Sequence, residues 1–137
     1  MVHWADSYTF GKQEEKKILP FLKDYFKREL IQTPSRFDKY DFIDDVYNYE
    51  CKSRTNKRAT YPTTMITFNK LPSDADIKPL ILIFNYTDCI CFIEYKREQF
   101  ETYETNMFSR LGLEFDEKLT AYVPIADLTE IIKKTAL

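Results

Sequence analysis

The sequence is poor in glycine, with two in 137 residues, and holds one histidine, one tryptophan and three cysteines. It has no serine-, glycine- or glutamine-rich stretch, which excludes a collagenous, disordered or low-complexity chain. The cysteines, Cys51, Cys89 and Cys91, are odd in number, and no basic-then-apolar leader precedes them. A secreted disulfide framework is therefore not expected, and an intracellular compartment, cytoplasmic or nuclear, is the expectation. The only histidine is His3, and the CxC at 89–91 lacks a second pair of donors at zinc spacing, so these cysteines read as small apolar strand residues. The longest apolar run, Pro79–Phe84, falls far short of a membrane span, so no membrane partner is expected. An excess of one charge is also missing. Twenty basic against twenty-two acidic residues give a net charge of -2, so any contact with nucleic acid must be local.

What the chain does have is 44% hydrophobic residues, with ten tyrosines and eleven phenylalanines. That suffices for one compact domain spanning 1–137, and the aromatics are read mostly as core, with none assigned to base stacking. Between Phe10 and Leu30, Ile18, Leu22, Tyr25 and Phe26 recur at helical spacing among lysines and acids. This predicts an amphipathic helix, kinked or divided at Pro20. Arg36–Arg54 reads as two aromatic strands joined by a tight turn at Asp44-Asp45. On the second strand Tyr47, Tyr49 and Cys51 share one face, while Asn48, Glu50 and Lys52 project from the other. Thr60–Leu71 fits a strand by its β-branched residues, or a helix opened by Pro62. Pro79–Tyr86 is a central strand covered on both faces, and CICFIEY pairs with it after a turn at Asn85–Asp88. Lys96–Gly112 has helical tendencies, Leu119–Val123 is a short strand, and Asp127–Lys134 is a terminal helix capped by Asp127.

The chemistry lies in Asp41, nine residues before Glu50, with Lys52 two further along the same strand. Carboxylate oxygens are hard donors suited to magnesium or manganese, which bind through one or two carboxylates together with substrate phosphate. A lysine beside them can orient an attacking water or offset charge developing on a phosphoryl group. The bland alternative is a solvent-facing ladder of opposite charges on an edge strand.

Tyr40-Asp41-Phe42 followed by Tyr49-Glu50-Cys51-Lys52 resembles the PD-(D/E)xK nuclease signature, with Tyr40 in place of its proline. The resemblance covers Phe10 to Tyr95, and Asp38, Asp44 and Asp45 compete with Asp41 as the first ligand. It implies an α/β fold with a mixed central β-sheet flanked by helices, the restriction-endonuclease-like αβββαβ core. It also implies a magnesium-dependent endonuclease acting on nucleic acid, DNA before RNA, with manganese able to substitute. Asp41 and Glu50 would be metal ligands, and Lys52 the catalytic lysine. A first-helix glutamate would complete the shell; Glu15 lies three and seven residues before Ile18 and Leu22, with Glu14 the competitor. Small members of the family are often homodimers, so a homodimer is expected. A non-catalytic nucleic-acid-binding or assembly module with the same fold is the second reading. After the triplet, Arg54, Lys57 and Arg58 form the strongest basic cluster, which with Lys70 would hold backbone phosphates; a solvated loop is the alternative.

Overall fold

The computed structural model describes residues 4–35, 38–72, 78–108 and 118–134. A long helix, α1 (Trp4–Phe26), packs on a sheet assembled from β1 (Ile31–Gln32), β2 (Phe42–Ile43), β3 (Asn48–Ser53), β5 (Leu80–Asn85), β6 (Cys89–Glu94) and β9 (Thr129–Lys133). The sheet order is β1-β2-β3-β5-β6-β9. It is mixed, because β3 and β5 run parallel while every other described pair is antiparallel. A second antiparallel sheet, ordered β4-β8-β7, comprises β4 (Thr63–Thr67), β7 (Thr105–Phe108) and β8 (Lys118–Pro124). One helical turn, α2 (Arg97–Phe100), lies between β6 and β7.

The expected alternation organises both cores. Ile81 and Ile83 of β5 pack with Tyr49 and Cys51 of β3 beneath Ile18 and Leu22 of α1. On the opposite face, Leu80, Leu82 and Phe84 pack against Ile66 of β4 and Ala121 and Val123 of β8. Every residue of β5 is buried, which accounts for the uninterrupted apolar run in the sequence. Burying Leu22 completely contributes about 1.5–3 kcal/mol, so this contact alone fixes much of the helix docking.

Three expectations about secondary structure need correction. The first helix runs unbroken through Pro20, whose ring sits on the exposed side, and it ends where Lys27 takes φ 56°, the left-handed cap conformation. The helix expected to cross back after β3 is absent among the described residues. Thr63–Thr67 is instead a strand of the second sheet, so the face opposite α1 is covered by β-structure rather than by a flanking helix. The terminal segment, too, is strand: β9 follows a single 3-10 turn at Ile125–Asp127 and pairs with β6. An exposed β6 edge offers ladder hydrogen bonds that Thr129, Ile131 and Ile132 accommodate well. Within the expected helical stretch Lys96–Gly112, α2 is followed by strand, and residues 109–112 lie outside the described residues. The turn at Asp44-Asp45 is present. Asp44 Oδ1 accepts the Val46 and Tyr47 N–H groups at 2.7 and 2.6 Å, while Oδ2 accepts Arg28 Nε at 2.6 Å and the Tyr49 hydroxyl. Burial alone would raise the Asp44 pKa, but these donors together hold it down at about 2.

Candidate active site

Asp41 sits immediately before β2 and is bound to β3 at two points. Its N–H donates to the Tyr49 carbonyl at 2.9 Å, and its Oδ2 accepts the Cys51 N–H at 2.8 Å. The carboxylate thus occupies the fork between the two strands, level with the Glu50–Cys51 backbone. From the helix side, Glu15 reaches the same place on the buried stripe that carries Ile18 and Leu22. It is 7% exposed and lies close enough to Asp41 for the two charges to interact. Gln32 Nε2 donates to Glu15 Oε2 at 3.1 Å and also to the Lys12 carbonyl, and Lys12 Nζ stands 3.4 Å from Oε2.

Burial and the Asp41 charge together push the Glu15 pKa up to about 7, with Gln32 and Lys12 pulling the other way. Glu50 follows on β3, 3% exposed, its Oε1 paired with Lys52 Nζ at 3.2 Å. The buried Cys51 thiol reports on the whole group. Its pKa is raised first by burial and then by the negative charges of Asp41, Glu15 and Glu50. The charges of the helix acid, the fork acid and the strand acid are thus all felt at Cys51, although strand alternation turns Glu50 and Lys52 to the face of β3 opposite the Cys51 side chain.

The competing acids lie elsewhere. Glu14 pairs with Lys17 at 3.0 Å, Asp38 accepts the Ser35 N–H at 2.9 Å, Asp44 anchors the turn, and Asp45 meets Arg28 at 2.6 Å. Among the described residues no three histidine, cysteine, aspartate or glutamate side chains already stand as a metal-holding group. Asp41, Glu15 and Glu50 nevertheless offer oxygen donors of the hard kind that magnesium or manganese takes, and they are the residues that would hold such an ion.

The basic cluster divides. Arg58 donates through Nη2 to the Ile125 and Leu128 carbonyls at 3.0 and 2.9 Å, and its N–H donates to Asp88. It ties the loop after β3 to the second sheet. Arg54 donates to the Met65 carbonyl at 2.6 Å and lies over the Phe84 ring. Lys57 is exposed, and the Lys70 side chain lies outside the described residues. Sequence reasoning missed Gln32 and Lys12, which orient Glu15; the two-residue β1 that carries Gln32 has too short a pattern to be seen. It also missed the Asp44–Tyr49 pair, since a turn acid gives no sign of which hydroxyl it will meet. No family model, curated protein or solved structure matches the chain. No described helix is long and apolar enough to cross a membrane.

Proposed function

We propose that the protein is a metal-dependent nuclease that hydrolyses DNA phosphodiester bonds at the fork between β2 and β3, on a core of the restriction-endonuclease-like kind. The observation that carries this reading is the convergence of buried Glu15 from α1 on Asp41, itself fixed to β3 by the Cys51 N–H, next to the Glu50–Lys52 pair. Asp41, Glu15 and Glu50 would hold magnesium, or manganese in its place. Such an ion supplies positive charge to phosphoryl oxygens and a bound water acidic enough to ionise near neutral pH. Asp41 is held rigidly by the Cys51 N–H, so it enters the site already oriented. Lys52, partly exposed and facing Glu50, is placed to donate to an attacking water or to developing charge on phosphorus. Branched, nicked or terminal DNA, of the kind that resolvases and repair nucleases act on, is the substrate to be tried first.

Incubation of plasmid, single-stranded and branched DNA with magnesium or manganese should give cleavage that a chelator abolishes and Asp41→Asn eliminates. Cleavage undiminished by chelation, or absent with every substrate and both ions, overturns the reading. Retained binding without cleavage would instead identify a non-catalytic nucleic-acid-binding or assembly module.

A further inference from the structure

On the same face of β3 as Glu50 and Lys52, beyond the end of the strand, a cavity of about 440 Å³ opens along β4, the edge strand of the second sheet. That volume falls within the range of small-molecule sites. Two arginines, Arg54 and Arg58, and three tyrosines, Tyr61, Tyr86 and Tyr122, dominate its lining; no acidic residue takes part, although the chain carries twenty-two. Arg58 is committed to carbonyls of the wall. Arg54 differs. Its guanidinium lies over the Phe84 ring, and among the described residues Nη2 alone of its nitrogens donates a hydrogen bond, to the Met65 carbonyl, while no carboxylate pairs with it. A half-buried guanidinium with donors to spare and no counter-charge is costly, and an anion in the cavity would remove that cost. Beside it the buried Tyr86 hydroxyl has Thr64 as a neighbour but closes no hydrogen bond of normal geometry among the described residues. Tyr61 is 60% exposed at the rim, a large aromatic face left in water.

We infer that this cavity binds a single unstacked nucleotide of a DNA strand, with the phosphate on Arg54 and the base against Tyr61 and Tyr122. Aromatic faces accept any base, and a planar guanidinium fork matches phosphate oxygens. At about 3.3 Å per residue, Arg54 lies roughly 13 Å along the strand direction from Glu50. That is the span of about four stacked nucleotides. One strand can therefore occupy the cavity and the fork together. Assigning that strand to the cleavage site rests on the nuclease reading above, whereas the chemistry of the pocket does not.

The test is binding of the full chain in chelator, so that cleavage plays no part. Short oligothymidylate, a blunt fully paired duplex of equal length and free thymidine monophosphate are titrated while backbone amide and arginine side-chain NMR signals are followed. The single strand should shift Asn56, Tyr61, Tyr122 and the Arg54 side chain saturably, and bind at least tenfold more tightly than the duplex. Tyr61→Ala, an exposed position whose loss should leave the melting curve unchanged, should weaken single-strand binding by roughly 5- to 100-fold. Equal affinity for duplex, shifts confined elsewhere, or unaltered binding by Tyr61→Ala would overturn the inference. Tighter binding of the free monophosphate than of the strand would overturn its assignment to DNA. Inactivity of the protein as a nuclease would leave all of these readouts intact.

Discussion

Glu15 and Asp41, 26 positions apart in sequence, stand side by side in the fold, and burial together with the Asp41 charge raises the Glu15 pKa to about 7. A glutamate raised from its ordinary 4.5 binds its proton more tightly in the folded chain than in the unfolded one. Stability therefore falls as the pH rises from about 4.5 through 7, and the loss is complete above 7. The full effect is at most about 3 kcal/mol. Metal-free protein should melt at a lower temperature at pH 8 than at pH 5.5, and Glu15→Gln should flatten that difference. An unchanged slope in the variant would mean that another group carries it.

Metal binding should show the same proton from the other side. If an ion displaces it, manganese affinity should rise about tenfold per pH unit below 7 and level off above, with one proton released per ion. Calorimetry in two buffers of different ionisation enthalpy measures that release. Glu15→Gln should abolish the pH dependence together with much of the affinity.

Lys52→Ala separates a catalytic group from a ligand. Turnover should fall about 10²-fold or more while manganese binding is largely kept, whereas Glu50→Ala should lose both. The burial of Glu50 adds a consequence. Removing its lysine leaves a buried carboxylate short of a counter-charge, so Lys52→Ala should also lose about 1–2 kcal/mol in urea titration. Activity equal to the parent protein would remove the assignment.

Arg58 and Lys57, adjacent cations, should respond to opposite assays. Arg58→Ala orphans the Ile125 and Leu128 carbonyls and should cost about 2–3 kcal/mol of stability. Lys57→Ala should leave the melting curve in place. If Lys57 contacts a phosphate, its loss lowers the log-log salt slope of DNA binding by about 0.9. An Arg58→Ala protein as stable as the parent would show that the tie is incidental.

The parts legible in the sequence were those governed by local pattern. The apolar run Leu80–Asn85, the turn acid Asp44 and the register that puts Glu15 beside Ile18 and Leu22 each follow from spacing within a few residues. What was left open or misread was decided far along the chain. Thr63–Thr67 and Thr129–Lys133 have patterns that two elements satisfy, and the choice was made by the strands they pair with, β8 and β6. Arg58 looked like a solvent-facing or phosphate-binding cation because the carbonyls it binds are 67 and 70 residues away.

The chain does not finish one sheet before starting the other. It leaves the central sheet after β3 for β4, returns for β5 and β6, departs again for β7 and β8, and comes back for β9. Each excursion closes a long loop before its ladder can repay the lost entropy, the arrangement that slows folding to milliseconds or beyond. Neither half can be cut away as an autonomous fragment. The fork that holds Asp41 belongs to the local β2–β3 hairpin, but Glu15 reaches it only once α1 has docked on the finished sheet, so a nascent or partly unfolded chain would carry the acids without the constellation they form.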